Sequence, residues 1–135
     1  MNPINLAQVT DTHLFGQISG KLSKINTLDT LNKVLESIQC NEDQLDCLIA
    51  TGDIAQDASP KAYEHFMLSV EKITVPFRWI PGNHDNVSLM KRISHGTNYC
   101  DKTFKIGNWM IILLDTSVKH EVFGLLGEME LEFLE

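Results

Sequence analysis

The sequence predicts a layered α/β fold, a mixed sheet with helices, and three observations carry that reading. Strand-like runs alternate with segments of helical apolar spacing, one nearly unbroken apolar run suits a strand covered on both faces, and a Gly-Asn pair joins two later strand-like stretches. Ile4 to Thr10 suits a short opening strand. After a glycine-containing loop, Leu28, Leu31, Leu35 and Ile38 recur at helical spacing. Leu45 to Ala50 is the apolar run, read as the buried strand. Ser59-Pro60 then marks a helix start by cap and first-turn proline, and Tyr63, Phe66, Met67 and Val70 supply that helix's inner stripe. Phe77 to Ile80 reads as the next strand, broken by Pro81-Gly82. Thr103 to Ile106 and Trp109 to Leu114 flank Gly107-Asn108, a pair suited to a tight hairpin, which makes the expected sheet a mixed one. Trp79 and Trp109 are both read as core residues. From Glu128 to Glu135 the pattern is helical, with Met129 and Phe133 four residues apart and no Gly or Asn cap before the last residue.

Composition narrows the function classes. The 135 residues, 43% hydrophobic and 21% charged, suit a single globular domain without repeats or low-complexity tracts. A net charge of −7 argues against a nucleic-acid surface, which needs clustered Lys and Arg. In so acidic a chain, bound cations are the means of attracting a phosphate. Cys40, Cys47 and Cys100 are odd in number and form no Cys-x-x-Cys pair, so neither a disulfide framework nor a thiolate zinc site is indicated. With no secretory-type leader and no bilayer-length apolar run, the expected setting is the cytoplasm and no membrane partner is expected.

Chemistry concentrates where strands end. Asp11-Thr12-His13 follows the first strand, Gly52-Asp53 the second and Gly82-Asn83-His84-Asp85 the third, which brings carboxylates, imidazoles and a carboxamide to one rim of one sheet. That is a metal-ligand set. Alternation along an extended strand end lets Asp11 and His13 face one way and Thr12 the other, while Gly52 and Gly82 permit sharp turns that aim the following side chains inward. Taken singly, each motif is common in ordinary turns; the three in this order, each at a strand end, are not. Asp57 is read as a turn or cap residue rather than a carboxylate orienting His84, and Asp85 as a local loop residue or helix cap.

These motifs resemble the calcineurin-like metallophosphoesterases, whose pattern runs Asp-x-His, Gly-Asp, then Gly-Asn-His followed by Asp or Glu. Thr10 before Asp11, Thr51-Gly52-Asp53-Ile54 with Gln56-Asp57, Leu113-Leu114-Asp115-Thr116 and Phe123-Gly124-x-Leu126 look most like the bacterial cyclic-AMP phosphodiesterases of the Icc type. The resemblance implies two divalent metal ions, which Asp, His and Asn donors would hold as manganese, iron or zinc. By it, Asp11 and His13 bind the first metal, Asp53 bridges both, Asn83 binds the second, and His84 meets the phosphate as the catalytic acid. A water shared by the metals then attacks phosphorus in line. The implied substrate is a small phosphodiester such as cyclic AMP.

The family also supplies three later ligands, one His after a fourth main strand and two in a Gly-His-x-His segment, and nothing in this sequence matches them. His65 is read as a helix histidine, His95 and His120 as loop residues. The expectation is therefore that residues 1–135 form the amino-terminal part of a single metallophosphoesterase domain. Such a chain should bind metal weakly, hydrolyse cyclic AMP slowly or not at all, and self-associate through apolar surface left bare. The competing readings are a nuclease or phosphomonoesterase using the same residues, and a non-catalytic scaffold on the same fold.

Overall fold

A computed structural model describes residues 3–42 and 44–135. Three parallel strands, β1 (Leu6–Val9), β4 (Cys47–Thr51) and β5 (Phe77–Ile80), form the central sheet in that spatial order. Between β1 and β4 lie a small hairpin, β2 (Lys21–Leu22) and β3 (Ile25–Asn26), and helix α1 (Thr27–Asn41); between β4 and β5 lie helix α2 (Pro60–Val70) and a 3₁₀ turn, Glu71–Ile73. Helix α3 (Val87–Ile93), a second hairpin, β6 (Thr103–Ile106) and β7 (Trp109–Ile112), and helix α4 (Glu128–Leu134) follow.

The layering follows from the period of two along the strands. On β4, Leu48 and Ala50 join the core under α1 and α2, which contains Leu31, Leu35, Tyr63, Phe66, Val70, Phe77 and Trp79. Cys47 and Ile49 point to the opposite face, where Leu113 and the hairpin residues Phe104, Ile106 and Ile111 cover them. A strand buried on both faces must be apolar throughout, so Leu45 to Ala50 carries no alternation. The antiparallel pairing predicted for the sheet resides in this separate hairpin, stacked on the parallel sheet rather than extending it.

Local signals set most boundaries. Ser59 caps α2 through a hydrogen bond from the Ala62 N–H, with Pro60 in the first turn, and Asn26 caps α1 by accepting from the Asp29 N–H. Asn86, rather than Asp85, caps α3, accepting from the Leu89 N–H. No sequence signal marks the β2–β3 hairpin, which turns on Ser23 and Lys24; their φ of 49° and 72° supply the left-handed pair usually built from Asn and Gly. Trp79 is buried as expected, ringed by Tyr63, Phe66, Phe77 and Tyr99. Trp109 is not: it shares a face with Ile111 and pairs with Ile106, but it sits beside the Gly107-Asn108 turn at the end of the hairpin, near Pro3 and Ile4, and is 63% exposed. Among the described residues, no helix is long and apolar enough to cross a membrane.

The site is placed by register. Val9 pairs with Ala50, and Thr51 with Ile80, so the three strands stop level with one another. The residues that follow, Asp11, Gly52-Asp53 and Pro81-Gly82-Asn83-His84, therefore share the carboxyl rim of the sheet.

Candidate metal centre

The first two loops are laced together by main-chain bonds. The Asp11 N–H donates to Gly52 O (3.1 Å), His13 N–H to Asp53 O (2.9 Å), Leu14 N–H to Ile54 O (2.8 Å), and Gln56 N–H back to Leu14 O (2.8 Å). The Thr12 hydroxyl donates to Ile54 O at 2.9 Å, and the extended alternation expected across Asp11, Thr12 and His13 is absent. The reason is backbone handedness: Asp11 and His13 are not extended but left-handed, at φ 56° and 44°, and Asp53 is left-handed too, at φ 50°. Such conformations cost on the order of 1 kcal/mol or more in a residue with a Cβ, and they collect at functional sites.

The two glycines have different reasons. Gly52 has φ 98° and a backbone packed so closely on Gly82 that a Cβ would stand 2.9 Å from the Gly82 Cα. Gly82 needs no special dihedral; a Cβ there would collide with the Asp53 carboxylate and amide. The sharp turn expected at both positions is required only at Gly52, whereas Gly82 makes room for Asp53.

Side chains converge on this frame. The His13 Nε2 lies 3.7 Å from Asp11 Oδ1 and 3.9 Å from Asp53 Oδ2. The His84 N–H donates to Asp53 Oδ1 at 3.0 Å, and the rings of His13 and His84 meet edge to face with centroids 5.1 Å apart. Ligand atoms of His13, Asp53 and His84 lie within 4.8 Å of one another, an arrangement that can hold a metal ion. Asn83 stands between Gly82 and His84 and lines, with His84, Ser88, Asp115, Lys119 and His120, an open groove of about 670 Å³. Asp11 is the most exposed of the carboxylates, its side chain 61% accessible, with Oδ2 accepting from the Thr10 hydroxyl at 2.6 Å.

These residues fit a cation. The contacts of 3.7 and 3.9 Å are too long for hydrogen bonds, yet two donors each about 2.1 Å from one ion lie at most about 4.2 Å apart. The buried Nδ1 of His13 has no hydrogen-bond partner among the described residues, so the ring is not held by bonds of its own. A cation between the imidazole Nε2 and the two carboxylates would fit these spacings.

Two neighbours of the site escaped the sequence reading. Gln56 turns its side-chain amide to His84 Nδ1 at 3.3 Å, which leaves the ring's Nε2 clear of Gln56. Asp57 instead accepts from the Gly16 and Ser59 N–H groups, the turn role expected of it. Partial burial tends to raise the Asp57 carboxyl, but these hydrogen bonds outweigh it and leave the group below its ordinary value. Asp85 is more than a local loop residue. Its carboxylate accepts from the N–H groups of Ile54 (3.1 Å), Ala55 (3.0 Å) and Gly82 (2.9 Å) and from the Tyr63 hydroxyl (3.1 Å), some spanning 30 residues of sequence. Burial pushes the Asp85 carboxyl up, against the pull of those donors, and burial raises the Tyr63 hydroxyl as well. No sequence signal beyond its place after His84 marks Asp85, because its partners are main-chain groups supplied by the fold. His65 sits on α2 with Nδ1 3.2 Å from Phe15 O, His95 is exposed after α3, and His120 borders the His84 groove.

A parallel sheet whose carboxyl rim carries Asp, His and Asn side chains from three successive loops has the layout of a metal-dependent hydrolase. The chain belongs to the calcineurin-like phosphoesterase family, whose model matches residues 4–130. It is 34% identical over 129 residues to the 3′,5′-cyclic adenosine monophosphate phosphodiesterase CpdA of Pseudomonas aeruginosa, covering 96% of this chain and 47% of that protein. To the protein of the same name from Escherichia coli K12 it is 38% identical over 134 residues, covering 98% and 49%. A 3′,5′-cyclic-nucleotide phosphodiesterase of Nostoc matches at 35%, covering 98% and 50%. The chain thus spans about half the length of the curated relatives it matches.

Proposed function

We propose that this rim is the site of a metal-dependent phosphoesterase and that its substrate is a small phosphodiester, a 3′,5′-cyclic nucleotide such as cyclic AMP. The observation that carries the reading is His13 Nε2 set between the Asp11 and Asp53 carboxylates with the His84 ring against it. Asp11 and His13 would hold one divalent cation, Asp53 would reach two, and Asn83 would complete the second; manganese, iron and zinc all suit such donors. Bound cations supply neutralisation of the phosphate charge and an acidified water. With Gln56 at Nδ1, His84 has Nε2 free to meet a phosphate or leaving oxygen and, carrying the ring proton, to donate to it, which supports a substrate contact over a metal ligand. The His84 N–H holds Asp53 Oδ1, leaving Oδ2 on the His13 side for cations. The names of the three relatives support the cyclic-nucleotide class, and the net charge of −7 weighs against nucleic acid. Three free thiols, at Cys40, Cys47 and Cys100, suit a reducing cytoplasm. A second copy of the chain is the proposed partner of its exposed apolar surface.

Four side chains shared between two cations hold them weakly, so low turnover is expected of these 135 residues. Calorimetric titration with manganese and chromatographic detection of AMP from cyclic AMP test the reading. Asp53→Asn should abolish binding, whereas His84→Ala should keep the metal and lower turnover by roughly 10²–10⁴. Manganese binding indifferent to Asp53→Asn, or unchanged turnover in His84→Ala, refutes it.

A further inference from the structure

The three motif loops are joined in series, and the second joint is made by side chains: the His84 N–H on Asp53, the Gln56 amide at His84 and, with the most bonds, Asp85. Main-chain bonds fasten the Asp11–Leu14 segment to Gly52–Gln56. Between Gly52–Gln56 and Pro81–His84 the fastening is different: Asp85 accepts from Ile54 and Ala55 on one side and from Gly82 on the other. Both oxygens are shared, Oδ1 between Ala55 and Tyr63 and Oδ2 between Ile54 and Gly82. Four donors match the acceptor capacity of one carboxylate. The Tyr63 hydroxyl, having donated to Asp85, accepts from the Asn86 N–H at 2.8 Å and so ties the start of α3 to α2.

From this we infer that Asp85, with Tyr63 behind it, is a positioning residue that fixes the separation between Asp53 and the Asn83–His84 loop at the candidate metal centre. The inference rests on the phosphoesterase reading for what is positioned, but the clasp is visible without it. Asp53 lies one residue before the clasped Ile54, and Asn83 lies between Gly82 and His84, so both metal-donor side chains grow from backbone that Asp85 holds. Packing leaves no slack there, since Gly82 touches Asp53 too closely for a Cβ. A carboxamide cannot substitute. An asparagine side chain in place of the carboxylate would offer one acceptor oxygen and turn a donor toward donors, leaving unmet either the Ala55 N–H and the Tyr63 O–H or the Ile54 and Gly82 N–H groups.

The test uses Asp85→Asn and the milder Tyr63→Phe, which removes one hydroxyl and leaves three amide bonds to the carboxylate. Amide hydrogen exchange reads the clasp directly, with no metal present, and manganese calorimetry below the melting temperature reads its effect on the site. Asp85→Asn should lose protection at Ile54, Ala55 and Gly82 and bind manganese about 10–100-fold more weakly, the usual effect of removing a group that orients metal ligands. Tyr63→Phe should fold, retain most of that protection and lose less affinity. If either variant, folded and with altered exchange, binds manganese as the unaltered chain does, Asp85 is only a structural residue and the inference fails. If Asp85→Asn does not fold, Tyr63→Phe decides on the same terms. An unaltered chain that binds no manganese fails the phosphoesterase reading itself, a result seen before any variant is compared.

Discussion

Three candidate ligands, Asp11, His13 and Asp53, share the left-handed backbone region, and each is held there by hydrogen bonds to the neighbouring loop. A side chain that must leave a strand end and turn inward has few other routes, so the strain is the geometric cost of convergence. Gly82 shows how little tolerance remains. Gly82→Ala should press a methyl group into the Asp53 carboxylate and main chain, destabilise the fold by about 1–3 kcal/mol and lower manganese affinity at least about tenfold. Gly127→Ala, with open space around it, is the control and should leave affinity unchanged. Thermal melts and calorimetry on the pair check this, and equal affinity in both would contradict the close approach at Gly82.

Helix α2 links local signals to the site. Its Ser59 cap and Pro60 fix where the helix begins, and that start sets the rotation that buries Tyr63, Phe66 and Val70 and carries the Tyr63 hydroxyl to Asp85. Ser59→Ala removes the acceptor for the Ala62 N–H and should cost about 1 kcal/mol, seen as a melting temperature lower by about 3–5 °C. An unchanged melt would mean that Pro60 alone fixes the helix start. The β6–β7 hairpin stands differently. Two strands alone are marginal in water, and this pair is held from below by Leu113, Ile49 and Cys47 and at its end by the Lys102–Glu130 ion pair with α4.

At the scale of the molecule, one side is well covered and the other is not. Core residues from Val9 to Met90 pack under α1 and α2, whereas Trp109, Met110, Phe123, Leu125 and Met129 are each at least 60% exposed. Large apolar side chains left exposed, with a hairpin that among the described residues pairs with no third strand, favour association. Light scattering across a concentration series should show assembly beyond the monomer. Replacing both Trp109 and Phe123 by Asp should restore a monomer without lowering the melting temperature, since neither side chain is buried. A monomer at every concentration would rule the association out.

The sequence by itself determined the order of β1, α1, β4, α2, β5, the later hairpin and α4, the cap of α2, the turn at Gly107-Asn108 and the placing of the candidate donor residues after three strands, though not the β2–β3 hairpin or α3. Each of these depends on spacing or on a residue's own chemistry. Hydrophobic period and capping act over a few neighbours, and Asp-x-His, Gly-Asp and Gly-Asn-His sit where strands end whatever surrounds them. Only the tertiary structure decided the rest. The left-handed turns of Asp11, His13 and Asp53 are imposed by bonds between loops some forty residues apart, and the exposure of Trp109 depends on where the turn end of its hairpin lies relative to the sheet. Gln56 meets His84, and Asp85 gathers four donors, because the parallel register stops three strands at one level. A carboxylate whose partners are backbone amides leaves no pattern in the chain, since every residue but proline brings the same N–H and only folding selects which of them it meets.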